Sequence, residues 1–600
     1  MVDVGCILQS ISADMELKRI IQYSDLFPED SGNLPDAKSL IKGLTREDLC
    51  TITANMVQRL NGMPFFDNNL DPRKEEYDFV RFFLSDKDPV YTQEIIDRHA
   101  AAKKRLPANY TGGFTATSKA AIMSFQRLFF SVMPEKNQFY SVQIEKDFSN
   151  ALLLENQRVY EAEFYPKKYE AEPKDLQLAR LYLAYNYANE DVESSDTHDL
   201  FRRQLTKSVT LFSYLFRSKD KRVKVLRRRF LAHLHIGSWV EYIIPHVMSI
   251  HFLKENSGLL ILKGSGKYGK KARRVVERSC IEKDALIPEG DNPDFMAFRG
   301  KPFIRLKKHH YAITNQSFVI EHMFNSVYFE LKQYRNDAGF ISDDEFRQYY
   351  TTEFSQKYMF EGYLNKVLPH NTQFYISGSQ CDDELDKARK KGVNTDGIAP
   401  PDYYIRIPEG CIVFEYKDAL TNAKVKEARN AEKLFAEIRK KFFENERGSH
   451  KGVTQLLDVA AAIQDGNFFF DNPSVNSEIY PVLVVDNPVY TMHGMHTLLE
   501  SMMREECIKR GMHSDTIKPL VLMDVATMKL YADYFSSNGL VNTFENYYEH
   551  VDPNGQKAQN EPFESLISFT EYMKDKDIGN MSNVFNRILT EAKPILRHYD

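Results

Sequence analysis

The spacing of hydrophobic residues over the first 215 positions is typical of amphipathic helices. In residues 119–134 and 174–188, apolar side chains recur three and four positions apart, which places them on one helical face. This pattern is interrupted at residues 109–113 and at Pro173. Residues 1–215 are therefore predicted to form a large, mainly α-helical N-terminal region, and the sequence assigns them no function.

The pattern changes over residues 216–335, where short apolar runs indicate strands. Residues 258–263 and 302–306 have the length and apolar content of strands, and residues 316–335 return to helical spacing. We predict an α+β middle region here.

From residue 340 onward, helical and strand patterns alternate, which is typical of α/β domains. Helices are predicted at 350–368, 422–445 and 453–464, and strands at 373–377, 402–407, 411–416, 479–485 and 518–523. A polar loop is expected after the first strand, and the turn Pro408-Glu409-Gly410 joins the second and third strands. Residues 340–600 are therefore predicted to form a mixed sheet flanked by helices.

Length, charge and cysteine content narrow the class of protein. At 600 residues the chain is too long for one hydrophobic core, which suggests two to four domains. A net charge of −5 argues against a general nucleic-acid coat protein but leaves a local basic site open. The six cysteines form no CxxC pair, which argues against a disulfide framework or a cysteine-rich zinc site.

The scattered cysteines favour a reducing cytoplasm, and neither the N-terminus nor the most apolar segment indicates secretion or a membrane span. The first twenty residues lack the basic and apolar segments of a secretory signal. Residues 230–253 form the most apolar long stretch, but they include four histidines and Glu241. We therefore predict a buried helix there and no membrane span.

Two acidic residues and a lysine are predicted to converge at the end of a β-hairpin. Asp402 begins one predicted strand and Glu415 ends the next, so the turn brings the two acids side by side. Glu415 and Lys417 point to the same face of their strand, whereas Tyr416 and Asp418 point to the other. Mg²⁺ prefers carboxylate oxygens, and a nearby lysine can orient an attacking water. This combination suits metal-dependent hydrolysis of phosphodiesters.

Pro401-Asp402 followed by Glu415-Tyr416-Lys417 resembles the signature of the PD-(D/E)XK superfamily of restriction-endonuclease-like nucleases. The resemblance extends over residues 350–480 and does not reach the N-terminal half. It implies a restriction-endonuclease-like fold and a nuclease that requires Mg²⁺ or Mn²⁺.

The resemblance also assigns roles to individual residues. It implies that Glu361, Asp402 and Glu415 are metal ligands. It also implies that the catalytic residues are Asp402, Glu415, Lys417 and Gln455. Gln455 resembles the glutamine that family members carry on a later helix. Val459 stands where members with the fuller pattern have a tyrosine.

Other positions compete with this assignment. Asp396 is a rival metal ligand, although the Asp396-Gly397 pair is also typical of a tight turn. The E-x-K tripeptide recurs at 16–18, 330–332 and 591–593. Of these, 330–332 has an upstream Pro-Asp pair, but it lies in a stretch with helical spacing, and no hairpin joins it to that pair.

Basic residues are concentrated in the middle region, within 217–229, 263–278 and 299–308. This concentration suggests a surface that contacts a nucleic-acid backbone, and a solvated face or a contact with acidic residues is the alternative. Residues 264–270 have GxxxxGK spacing, but Lys271 follows where a phosphate-binding loop has Ser or Thr. We favour a flexible basic loop over a nucleotide hydrolase.

Together these observations predict a cytoplasmic, metal-dependent nuclease. DNA is favoured over RNA as its partner, no membrane association is expected, and self-association or a partner subunit is left open. A nuclease domain joined to a large helical region is a design seen in bacterial defence against phage. The alternative is a non-catalytic component that binds nucleic acid or protein through an inert nuclease-like domain.

Overall fold

The computed structural model describes residues 19–60, 88–106, 114–133, 142–160, 172–193, 197–255, 258–262, 267–552 and 562–576, and positions 555, 586 and 590. This part of the chain has a mixed α/β fold that is mostly helical. No helix within it has both the length and the apolar character needed to cross a membrane. The break predicted at 109–113, the loop residues 263–266 and the E-x-K copies at 16–18 and 591–593 lie outside the described residues.

The N-terminal region is helical, as its periodicity predicts. Its helices are α1 (Tyr23–Leu26), α2 (Ala37–Leu40), α3 (Arg46–Leu60), α4 (Pro89–Arg105), α5 (Lys119–Phe130), α6 (Val142–Tyr160), α7 (Lys174–Asn186), α8 (Glu190–Glu193) and α9 (Thr197–Arg217). Two short strands, β1 (Arg19–Ile20) and β2 (Phe114–Thr115), pair in parallel. The helices predicted near 119–134 and 174–188 are confirmed as α5 and α7.

The middle region contains a four-stranded sheet with the order β3-β6-β5-β4. Its elements are α10 (Lys221–Leu234), α11 (Val240–Glu255), β3 (Leu259–Ile261), α12 (Lys267–Arg278), β4 (Cys280–Glu282), α13 (Met296–Gly300), β5 (Phe303–Lys307), β6 (His310–Ile313), α14 (Gln316–His322) and α15 (Asn325–Lys332). The single helix predicted at 316–335 is wrong, because non-helical backbone angles at Phe324 divide it into α14 and α15.

The C-terminal region contains the predicted mixed sheet. Its elements are α16 (Asp343–Tyr349), a π-helix (Tyr350–Glu361), α17 (Gly362–Leu364), β7 (Phe374–Ser377), α18 (Gly378–Lys390), β8 (Tyr403–Ile407), β9 (Gly410–Lys417), α19 (Ala423–Ala428), α20 (Ala431–Phe442), α21 (Val453–Gln464), β10 (Glu478–Val485), α22 (Met495–Lys509), β11 (Val521–Asp524), α23 (Val525–Leu530), α24 (Ala532–Asn538), α25 (Leu540–Val551) and α26 (Phe569–Tyr572). The strand order is β11-β10-β9-β8-β7. β9, β10 and β11 run parallel, whereas β7, β8 and β9 are antiparallel.

Both faces of this sheet are buried, each in its own hydrophobic core. Tyr403 and Phe414 belong to a core that also includes side chains of α9 and α11, so this core joins the sheet to helices earlier in the chain. Tyr404 and Val413 belong to the second core, which α20, α21 and α22 cover. Alternate residues of β8 and β9 thus enter different cores, as the period of a strand requires.

The turn between β8 and β9 contains two residues, not the three that the sequence suggested. Gly410 already belongs to β9 and pairs with Ile407, so only Pro408 and Glu409 form the turn. A side chain at position 410 would collide with the backbone carbonyl of Glu478 on β10. Glycine is therefore required here by the close approach of the neighbouring strand.

The polar loop predicted after β7 is wrong, because helix α18 occupies most of it. The Ser377 hydroxyl accepts a hydrogen bond from the Gln380 amide at 3.4 Å, and the Gln380 side chain accepts one from the Ser377 amide at 2.9 Å. This reciprocal cap satisfies two backbone groups at the helix start. Cys381, Leu385 and Ala388 form a narrow buried face on an otherwise polar helix, which explains why the segment resembles a loop.

Replacing Ser377 by alanine is expected to lower the free energy of unfolding by about 1 kcal/mol, because the start of α18 loses its cap. Urea unfolding monitored by circular dichroism measures this change. The same substitution at the exposed Ser514 should change stability by less than about 0.5 kcal/mol. Equal losses in the two variants would show that the cap does not stabilise the fold.

Candidate active site

The β8–β9 hairpin places Asp402 beside Glu415, as the sequence predicts. Tyr403 pairs with Phe414, so the next position on each strand brings Asp402 opposite Glu415. The Oδ2 atom of Asp402 accepts a hydrogen bond of 2.8 Å from the Tyr416 amide. The carboxylate is thus fixed against the backbone of the strand that carries the other two predicted residues.

Lys417 links Glu415 to Gln455. Its Nζ atom donates to Oε1 of Glu415 at 2.5 Å and to Oε1 of Gln455 at 2.8 Å. Gln455 lies in the first turn of α21 and also accepts a hydrogen bond from the Gly452 amide, which closes the start of that helix. Tyr416 points to the opposite face and stacks on Phe360, with ring centroids 5.0 Å apart. The predicted residues Asp402, Glu415, Lys417 and Gln455 therefore form one connected group.

Asp402 and Glu415 are two buried acids with one ammonium group beside them, so the site does not favour the ionisation of both. Burial, and then the negative charge of Asp402, raise the pKa of Glu415 to about 8, and only 3% of its side chain is exposed. Burial also raises the pKa of Asp402, although Lys417 opposes the shift. For Lys417, burial acts to lower the pKa, but Glu415 and Asp402 outweigh it and the pKa is raised. Two acids face one ammonium group, so an oxygen-preferring divalent cation fits the charge and the donor set.

Glu361 lies near this group but is engaged elsewhere. Its carboxylate accepts hydrogen bonds from the Ser379 amide at 3.1 Å and from the Ser379 hydroxyl at 2.9 Å. Burial raises the pKa of Glu361. Within the part of the chain that the structure describes, no three acidic, histidine or cysteine side chains are grouped as metal ligands. The structure thus joins Asp402 to Glu415. Glu361 binds Ser379 instead, next to Gly378, whose amide donates to the Asp402 carbonyl at 2.8 Å.

Gln356 belongs to the site and was missed by the sequence analysis. Its Nε2 atom donates to Oδ1 of Asp402 at 2.8 Å, so both oxygens of that carboxylate accept hydrogen bonds. Gln356 and Glu361 are five positions apart in the π-helix, whose hydrogen bonds span five residues. In an α-helix, with 3.6 residues per turn, the side chains at these two positions would point in different directions. Seven of the twelve residues in this helix are polar, so no pattern in the sequence singled out Gln356.

The rival positions lie outside the group. Asp396 is exposed in a turn, where its amide donates to the Asn394 side chain at 2.9 Å. Asp418 accepts a hydrogen bond of 3.2 Å from Ser355 on the other side of the sheet. Val459, which stands where the fuller pattern has a tyrosine, is a residue of α21 and is buried in the second core.

With this geometry established, the chain was compared with known proteins. Models of protein families, curated proteins and solved structures gave no match. Functional inference therefore rests on the hairpin, its hydrogen bonds and its charges.

Exposed basic residues in the middle region lie on two helices that pack together. α10 contacts α12, and each presents cations one helical turn apart. We define the basic surface by four exposed residues: Lys224, Arg228, Lys270 and Arg274. Two other cations on these helices are paired: Lys271 binds Glu241 at 2.7 Å and Arg229 binds Asp337 at 2.9 Å. The four surface residues keep the positive charge that a phosphate backbone would need.

Proposed function

We propose that this protein is a metal-dependent nuclease of the PD-(D/E)XK type. The observation that supports this most strongly is the connected group of Asp402, Glu415, Lys417 and Gln455 at the end of the hairpin. Two carboxyl groups beside a single ammonium group support Mg²⁺ or Mn²⁺ as the cofactor, because a bound cation would favour the ionised form of both. A role in bacterial antiviral defence belongs to the same proposal and follows only from the predicted domain arrangement.

Each residue of the group has a separate role in this proposal. Asp402 and Glu415 would hold the cation. When bound, it would neutralise charge on the scissile phosphate and lower the pKa of the attacking water. Lys417 donates a hydrogen bond that orients this water, and Gln455 fixes the position of the Lys417 ammonium group. Gln356 and the Tyr416 amide hold Asp402 in a single orientation.

The basic surface supports nucleic acid as the substrate. Its residues would neutralise backbone phosphates without reading bases, so binding should weaken as salt rises. We favour DNA over RNA. The test is incubation of the full chain with labelled single- and double-stranded DNA and RNA, in Mg²⁺, in Mn²⁺ or in EDTA. Cleavage that requires the metal supports the proposal, whereas salt-sensitive binding without cleavage of any substrate supports the inert, nucleic-acid-binding alternative.

Replacing Gln356 by leucine is expected to raise the Mg²⁺ concentration needed for half-maximal cleavage by about tenfold. The physical reason is that Asp402 loses the hydrogen bond to Oδ1 that orients it, and such supporting bonds alter metal affinity by about 10- to 100-fold. Metal titration of the cleavage rate measures the change. Gln333→Leu, at an exposed position, should leave the titration unchanged. Identical curves for Gln356→Leu and the wild type would exclude this role for Gln356.

A further inference from the structure

A small cavity lies where three parts of the chain meet, apart from the candidate active site. Its volume is about 160 Å³. It is lined by α5 and α6, the link between α7 and α8, the segment before α13, and the end of α19 with the link to α20. The charged residues that line it are four cations and two acids: Arg127, Arg158, Lys426, Arg429, Asp294 and Glu427.

Three of the four cations are paired with carboxylates. The pairs are Arg127 with Glu427 at 2.5 Å, Arg158 with Glu155 at 2.6 Å and Glu289 at 3.2 Å, and Lys426 with Asp191 and Asp294, both at 2.8 Å. Arg429 differs from them. Its Nη1 atom donates to the backbone carbonyls of Arg158 and Val159 at the end of α6, and no carboxylate of the described residues forms an ion pair with it.

The positive charge of Arg429 is therefore incompletely compensated. Burial lowers the pKa of Arg429 to about 10. Arg158 and Arg127 also lower it, whereas Tyr160 and Glu155 raise it without offsetting the effect of burial. A buried charge ordinarily has an opposite charge or a ligand beside it, since desolvation is otherwise costly. The carbonyls at the end of α6 supply only partial negative charge. An anion in the cavity would complete the compensation.

The backbone around the cavity is also held in an unfavourable conformation. Of the five non-glycine residues with positive φ in the described chain, three line the cavity: Asp294 (φ 48°), Phe295 (φ 58°) and Arg429 (φ 48°). Side chains with a Cβ atom disfavour this region, and such residues are concentrated at ligand sites. The left-handed conformation of Arg429 occurs at the break between α19 and α20 and directs the chain so that its side chain reaches α6.

We propose that this cavity binds a phosphate group through Arg429, with Arg127 and Arg158 beside it. Arginine suits this ligand because its planar guanidinium group matches phosphate oxygens. Pockets for drug-sized ligands have volumes of about 300–1,000 Å³. This cavity has about half the volume of the smallest of these pockets, so it suits a phosphate or diphosphate group and not a whole nucleotide. The group could be a free ion or the 5′-phosphate of a nucleic-acid fragment.

Isothermal titration of the full chain tests this site without reference to cleavage. The titrants are inorganic phosphate, pyrophosphate, and a dinucleotide with a 5′-phosphate or a 5′-hydroxyl, in EDTA and at matched ionic strength. We expect saturable binding of at least one phosphate-bearing titrant. Preference for phosphate or pyrophosphate indicates a free ion, and preference for the 5′-phosphorylated dinucleotide over its 5′-hydroxyl form indicates a nucleic-acid end. No saturable binding of any titrant would overturn the proposal.

Two variants assign the binding to the cavity. Arg429→Met should weaken affinity at least tenfold, whereas Arg447→Met, at an exposed position outside both the cavity and the basic surface, should leave it unchanged. Glu427→Gln removes a negative charge from a partly exposed position at the cavity and should strengthen binding severalfold, so it tests the site even if Arg429→Met does not fold. Unchanged or weaker binding in Glu427→Gln would contradict the proposal, as would wild-type affinity in Arg429→Met. Neither outcome depends on the proposed nuclease activity.

Discussion

Replacing Lys417 by methionine is expected to reduce metal-dependent cleavage of nucleic acid by about 100- to 1,000-fold. Methionine keeps much of the length of the side chain but cannot donate the hydrogen bond that orients the attacking water, and losses of this size follow removal of one catalytic donor. Single-turnover cleavage at saturating Mg²⁺ measures the chemical step directly.

Two comparisons make this expectation specific. Lys433→Met, at an exposed position on α20, should cleave at the wild-type rate. Circular dichroism of Lys417→Met should match the wild type, because Asp402 keeps its bonds to Gln356 and to the Tyr416 amide. Wild-type cleavage by a folded Lys417→Met variant would remove the lysine from the mechanism.

Metal-free protein is expected to lose stability as the pH rises from about 4.5 to about 8, and Glu415→Gln should reduce that loss by a few kcal/mol. Glu415 has an ordinary pKa of 4.5 and a folded-state pKa of about 8. The folded protein therefore retains a proton that the unfolded chain releases. The contribution of this proton to the free energy of unfolding is fully present below pH 4.5 and is lost as the pH rises past 8. Glutamine does not ionise, so the variant lacks this contribution to the pH dependence.

Urea unfolding in EDTA at pH 5, 7 and 9 measures this effect. Glu415→Gln should be more stable than the wild type at pH 9, and Mg²⁺ should stabilise the wild type more than the variant. Glu505→Gln, at an exposed position, serves as the control and should keep the wild-type pH dependence. A Glu415→Gln variant with the wild-type slope between pH 5 and 9 would show that this carboxyl group does not titrate as described.

Sequence patterns of short range predicted the centre of the site. The hairpin that joins Asp402 to Glu415 follows from a turn and from the two-residue period of strands, both of which act between near neighbours. Helix α21 begins and ends where its apolar spacing predicts, which carries Gln455 to Lys417. These residues were also grouped by the resemblance to a nuclease signature.

Features that depend on tertiary contacts were not predicted. Helix α18 has only a narrow apolar face, and its polar remainder resembles a loop. The π-helix brings Gln356 to Asp402 through a five-residue spacing that a search for α-helical periodicity does not detect. The left-handed residue Arg429 divides a predicted continuous helix, because its side chain binds the end of α6, far away in the sequence.

The central claim is that Asp402 and Glu415 would hold a divalent cation that assists the attack of water on a phosphodiester. One measurement tests it most directly: the cleavage of a labelled oligonucleotide panel by the wild type and by Asp402→Asn, each in Mg²⁺, in Mn²⁺ and in EDTA. We predict cleavage by the wild type with either metal, none in EDTA, and at least a 100-fold lower rate for Asp402→Asn with either metal. Equal cleavage by the two proteins, or wild-type cleavage that persists in EDTA, would contradict this account.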